Sequence, residues 1–174
     1  MSPLRRLVVL RHAKSAWPEG VADHARPLGP RGLRDAPAAG RWLATADCLP
    51  DLVLCSTARR TRQTWELAAA ELGSIPPVRF ERRLYGADER ELIDVVREVS
   101  NPIETTLLIG HNPGLQDLVL LLTGDSLGDS LRRAQTKFPT SAVAVLTWRG
   151  TWSALAPGSA LLTDLAVPRG HKKK

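Results

Sequence analysis

Three short, almost wholly apolar runs limit what this chain can become: Leu7-Val-Val-Leu10, the segment Asp51-Leu-Val-Leu-Cys55, and Thr105-Thr-Leu-Leu-Ile-Gly110. Runs of this length without polar alternation suit strands covered on both faces. Segments of helical periodicity separate them. From Arg31 to Thr45 the apolar positions Leu33, Ala36, Ala39, Trp42 and Leu43 recur at helical spacing, with Pro37 as a point of kinking or delayed start. After Ser56-Thr57, read as N-cap residues, the pattern runs through Trp65, Leu67, Ala68 and Leu72 until Gly73 stops it. Glu89–Val99 is an amphipathic helix, and Leu115–Leu122 is an apolar one, with Asn112 as its cap and Pro113 at its first position. Helical crossovers force the strands they join to run parallel.

The remaining segments complete a mixed sheet. Pro77–Leu84 alternates, with Val78 and Phe80 on one face, as a short edge strand does. Ser141–Trp148, a two-residue Arg149-Gly150 turn and Thr151–Leu155 read as a hairpin. Thr123–Lys137 shows no clear period. The expected fold is α/β: a three-layer α/β/α sandwich with a mostly parallel mixed central sheet. Residues 1–170 are expected to form a single domain, and 171–174 a basic tail.

Composition decides a few further points. No apolar run approaches the ~18 residues that span a bilayer, and the start lacks a signal peptide's cleavage region, so a cytoplasmic protein with no membrane partner is expected. Cys48 and Cys55 read as buried reduced thiols. The net charge is +6, half of it from the three terminal lysines. Aromatic residues make up only 5% and do not interleave with the basic ones, which disfavours nucleic acid as a partner.

The chemistry gathers where the strands end. The first apolar run stops on Arg11-His12, the second leads through Ser56 to Arg59 and Arg60, and the third runs into His111. In an open parallel sheet these ends share one rim, where ligands bind. Arginine in a helix's first turn faces the positive end of the macrodipole, which costs ~0.3–1 kcal/mol per charge. A bound anion reverses that sign, and helix N-termini and arginine both suit phosphate. A polar loop from Ser15 to Pro30, carrying Asp23-His24-Ala25-Arg26-Pro27-Leu28, is long enough to be functional. A zinc site on His12, His24 and His111 has neither HExxH nor CxxC spacing and would sit among arginines, so neither a metal nor a cofactor is expected.

On these residues a resemblance stands out. Leu10-Arg11-His12-Ala13 resembles the Arg-His-Gly signature of the histidine phosphatase superfamily, its phosphoglycerate mutase-like branch. Ser56-Thr-Ala-Arg-Arg60-Thr-Arg-Gln-Thr64 resembles that family's Ser-x-x-x-Arg-Ala-x-x-Thr segment, and Gly110-His111-Asn112 its distal histidine. The short length and the Asp23-x-x-Arg26-Pro27-Leu28 segment are similar to SixA-type phosphohistidine phosphatases. The resemblance implies a histidine nucleophile, His12, forming a covalent phosphohistidine. Arg11, Arg60 and His111 would hold the phosphoryl oxygens, Ser56 would add a hydrogen bond, and Lys14 and Arg59 would enlarge the positive field.

Two departures bear on substrate. Ala13 stands where the family has glycine, and the region where mutase-like members carry a glutamate acid fits poorly, leaving Glu81 and Asp88 as candidate general acids. An alkoxide leaving group needs a proton, whereas a phosphoramidate or anhydride leaves without one. The expected activity is therefore metal-independent phosphatase chemistry on a phosphohistidine-bearing protein or a small activated phosphorylated compound. The alternatives are a broad-specificity phosphomonoesterase and a non-catalytic phosphate- or nucleic-acid-binding domain.

Overall fold

The computed structural model describes residues 2–172. The expected tail therefore falls partly outside the described residues, at Lys173 and Lys174; His171 and Lys172 are exposed. The strands are β1 (Leu4–Arg11), β2 (Leu52–Ser56), β3 (Val78–Glu81), β4 (Thr105–Gly110), β5 (Thr123–Ser126), β6 (Val143–Arg149) and β7 (Ala160–Ala166). They form one seven-stranded sheet in the order β3-β2-β4-β1-β6-β7-β5. Only β6 runs against the others, pairing antiparallel with both β1 and β7. The helices are α1 (Pro30–Thr45), α2 (Arg59–Ala69), α3 (Glu89–Arg97), α4 (Gly114–Leu122) and α5 (Ser130–Thr136).

Alternation along β1 shows how the layers arise. Leu7 and Val9 face one core with residues of α3, α4 and α5, whereas Val8 and Leu10 face another with residues of α1 and α2. Both sets are fully buried. The unbroken apolar run is the signature of a strand with no solvent face. The result is a three-layer α/β/α sandwich on a mixed, mostly parallel sheet.

Several local expectations are corrected. Thr151–Leu155 is not a strand: Trp152–Ala154 is a 3₁₀ turn, and the partner of β6 is β7, reached by a longer connection. The cause is Trp152, whose indole N–H donates to the Ile103 carbonyl at 2.7 Å and whose ring packs edge-on to Trp148 at 4.9 Å. That anchoring draws the chain off the sheet. The unassigned segment 123–137 supplies β5 and α5. Pro37 lies inside α1 without delaying it, since the helix begins at Pro30, and Leu33 points outward, 50% exposed. Helix α2 begins after Ala58, so Ser56 and Thr57 are not its caps. Similarly, α4 starts after Pro113, beyond a cis Asn112–Pro113 bond, although the Asn112 side chain still accepts from the Gln116 N–H at 3.2 Å. Cys48 and Cys55 are free and buried, and burial pushes the Cys55 thiol up to about 12.

Close packing of α1 on α2 gives a testable consequence. Gly40 lies within α1, where glycine costs ~1 kcal/mol against alanine. A Cβ there would meet the Ala68 backbone, 2.8 Å from its Cα. The steric conflict outweighs the propensity gain, because an overpacked contact costs about 1–3 kcal/mol. Gly40→Ala should therefore lower the denaturation midpoint; a raised midpoint would show that the helices separate freely.

Candidate active site

The sheet order determines where a site can form. The chain leaves β1 for β2 on one side and leaves β4 for β5 at the opposite edge, so a crevice opens beyond the carboxyl ends of these two central neighbours. Arg11 stands opposite Gly110 in their register, which places His12 and His111, each the next residue, side by side. Their ring centres are 5.4 Å apart. Strand β2 flanks β4 on the other side, and its last residue, Ser56, lies 2.8 Å from His111 Nε2 through Oγ. The three strand ends therefore converge as expected.

A cavity of about 230 Å³ opens there, lined by Arg11, His12, Lys14, Ser15, Trp17, Arg26, Arg60, His111, Asn112 and Thr140. Four of these carry fixed positive charge, and no carboxylate among the described residues lines the cavity. His12 is only 6% exposed, and its Nδ1 lies 2.7 Å from the Ala13 carbonyl oxygen. A carbonyl can only accept, so Nδ1 carries the proton and Nε2 keeps its lone pair. Burial, reinforced by His111, Arg60 and Arg11, pushes His12 down to about 3, against the opposing Ala13 bond. Burial and Arg60 likewise push His111 down to about 4. Both imidazoles are thus neutral near pH 7.

The guanidiniums are fixed by partners on one side only. Arg11 donates from Nη1 to the Phe138 carbonyl at 3.1 Å, and its Nε is buried without a partner. Arg60 donates to the Asp23 carbonyl at 2.7 Å and its carboxylate at 3.2 Å, and its Nε is likewise unpartnered. His111 Nδ1 completes this set of buried polar atoms without partners. Leaving buried donors unpaired costs about 1–3 kcal/mol each. Arg11, Arg60 and His111 all line the cavity, so an anion held there would sit among them.

Other expected residues are placed differently. Lys14 is exposed at the cavity wall. Arg59 is exposed and does not line the cavity, because one helical step turns it away from Arg60. Glu81 ends β3 beside Ser56, but Arg83 holds its carboxylate at 3.0 Å and keeps it below the usual carboxylate range. Asp88 caps α3, accepting from the Glu91 N–H at 2.9 Å. It lines a neighbouring hollow that also touches His111. Neither carboxylate lines the main cavity. Ala13 is fully buried against Leu28 and Ala36, so its methyl fits where the resemblance called for glycine.

Sequence reasoning missed one device. Asp23 bonds Arg26 at 2.9 Å and Arg60 at 3.2 Å, and it accepts from the Tyr85 hydroxyl. These partners, Tyr85 foremost, hold the Asp23 carboxyl well below the usual range. Tyr85 packs edge-on to His111, with ring centres 5.5 Å apart, and to His24 at 4.8 Å. His24 in turn bonds Thr57 at 2.9 Å. The 15–30 loop is thereby strapped across the crevice. Only the proximity of Asp23 to Arg26 hinted at this; nothing local marked Tyr85. Among the described residues, no three His, Cys, Asp or Glu side chains cluster at metal-ligand spacing, and no helix is long and apolar enough to cross a membrane.

Comparison with known proteins agrees with this geometry. Residues 7–92 match the model of the histidine phosphatase superfamily (branch 1). An uncharacterised protein of Mycobacterium tuberculosis is 44% identical over 162 residues, covering 92% of this chain and 100% of that one. A candidate phosphohistidine phosphatase SixA of Nakamurella multipartitia superposes with a TM-score of 0.82 at 34% identity, covering 96% of this chain and 98% of that one. A tungstate complex of the protein histidine phosphatase SixA has the same fold, with a TM-score of 0.72 at 23% identity over 94% and 97% of the two chains. With its two strand-end histidines set among arginines on this sandwich, the chain belongs to the histidine phosphatase superfamily, in its SixA-type group.

Proposed function

We propose that this phosphatase hydrolyses activated phosphoryl compounds, phosphohistidine foremost, through a covalent phosphohistidine on His12 and without a metal ion. One observation carries the reading: the Nδ1 proton of His12 is held by the Ala13 carbonyl, which leaves Nε2 as a buried free nucleophile among guanidiniums. Nε2 attacks phosphorus, and the bond to the leaving group breaks with its electron pair passing to the departing atom. The ring becomes cationic, and the Nδ1–H bond to Ala13 strengthens as it does. Arg11, Arg60 and His111 stabilise charge on the equatorial oxygens, where preorganised donors act most strongly. Water then attacks phosphorus, the N–P pair returns to Nε2, and phosphate leaves with the water's proton passing to solvent.

The same site favours leaving groups that need no proton. Glu81 and Asp88 are committed elsewhere, and Asp23 is held ionised by Tyr85, Arg26 and Arg60. A positioned acid contributes about 10²–10⁴ in rate for poor leaving groups. Phosphoramidates and acyl phosphates dispense with it. The likeness to the Nakamurella protein, a candidate SixA phosphohistidine phosphatase, supports this choice. Incubation with labelled acetyl phosphate, a rapid quench and separate acid and alkali treatment test the covalent step. An acid-labile, alkali-stable label on His12 is expected; turnover with no label on any histidine would contradict it.

The neutral imidazoles also set a pH response. Native His12 and His111 take up protons only near about 3 and about 4, whereas unfolded imidazoles do so near 6.5. The unfolded chain therefore binds more protons between those values, so stability rises with pH across that window and is lost as pH falls through it. For kcat/KM on acetyl phosphate, no inflection is expected near 6.5. A pH profile with an acid limb at that value would show that the nucleophile titrates as it does in water.

A further inference from the structure

Trp17 is 75% exposed, in a chain where Trp65, Trp148 and Trp152 are buried and Trp42 half-buried. It lines the wall of the phosphoryl cavity. The Arg26 guanidinium carbon stands 3.2 Å from its ring centre, so one face is covered and the exposure belongs to the other face and the edges. This stack is anchored. Arg26 donates from Nε to the Ala16 carbonyl at 3.1 Å, from Nη1 to Asp23 at 2.9 Å and from Nη2 to the Ser15 hydroxyl. The loop beneath is tied by a Ser15–Leu28 bridge and by the Ala16 N–H to the Pro27 carbonyl at 2.8 Å. The cation–π contact holds an indole in water at a defined place.

In an in-line displacement the leaving group departs opposite the nucleophile. His12 is buried and Trp17, on the wall of the same cavity, is exposed, so a leaving group departing toward solvent passes along the wall that Trp17 forms. We propose that the outer face of Trp17 is a leaving-group subsite that stacks a planar aromatic ring joined to the phosphoryl group, the imidazole of phosphohistidine being the ring that fits. This rests on the reading of the cavity as a phosphoryl site. Indole and imidazole pack offset-stacked or edge to face, whereas a serine or sugar phosphate presents no π face. A ring protonated at its distal nitrogen leaves as neutral imidazole, with the P–N electron pair, and needs no acid from the protein. The subsite thus complements a cavity that no carboxylate among the described residues lines.

Binding of two inert ligands, imidazolylmethylphosphonate and methylphosphonate, tests the subsite by calorimetry. The protein is expected to bind the aromatic ligand about 10-fold more tightly, in line with stacking on aromatic side chains. Trp17→Ala should bring that ligand to the affinity of methylphosphonate, and Trp17→Phe should keep part of the preference. Equal affinities in the unaltered protein, or equal weakening of both ligands in Trp17→Ala, would overturn the proposal. A parallel assay of acetyl phosphate hydrolysis separates the two readings: its failure strikes the phosphatase mechanism and leaves the affinity ratio intact as the measure of the subsite.

Discussion

Replacing His12 by alanine is expected to lower kcat for acetyl phosphate on the order of 10⁴-fold or more, the scale seen when a covalent nucleophile is removed. The fold should survive, because His12 lies at the end of β1 and the β1–β4 and β1–β6 ladders do not use its side chain. Its backbone N–H still reaches the Gly110 carbonyl at 3.1 Å. The cationic residues would remain, so the variant should still bind orthophosphate. Retained binding with lost turnover separates a nucleophile from a mere ligand. Comparable turnover in His12→Ala would end the covalent mechanism.

Arg60→Ala is the second large effect, an expected loss of about 10²–10³ in kcat/KM, the range for removing one preorganised donor to a developing charge. Arg60 is 6% exposed and contacts Asp23 through both terminal nitrogens. Removing it deprives Asp23 of one cation while Arg26 and Tyr85 remain. A lysine at 60 should not restore the rate, because an ammonium lacks the planar fork that would grip Asp23 and a phosphoryl oxygen together. Steady-state kinetics of both variants decide this. Full rescue by lysine would mean that position 60 supplies charge alone.

The central part of the site was legible because regular structure placed it. Apolar runs ending at Leu10, Cys55 and Ile109 mark fully covered strands, and parallel strands end on one rim, so His12, Ser56 and His111 had to meet. Arg60 could be read for the same reason, one helical turn beyond β2. What failed depended on contacts between distant segments. The Asp23–Tyr85–Arg60 strap joins a loop, an edge strand's exit and a helix, and no periodicity records such a meeting. The Thr151–Leu155 strand was misjudged because Trp152 and Leu155 are buried by a 3₁₀ turn anchored on Ile103, a partner about fifty residues away. Glu81 and Asp88 sat at suggestive positions, yet Arg83 and the α3 N-terminus hold them. A carboxylate's role depends on its partners, and these are tertiary.

A crystal structure with vanadate, which mimics the trigonal phosphoryl group in flight, tests the central claim most directly. Vanadium should lie in line with and bonded to His12 Nε2, with Arg11, Arg60 and His111 on its equatorial oxygens and Trp17 beside the apical leaving position. Vanadate bound outside this crevice, or facing His12 through Nδ1, would contradict the account.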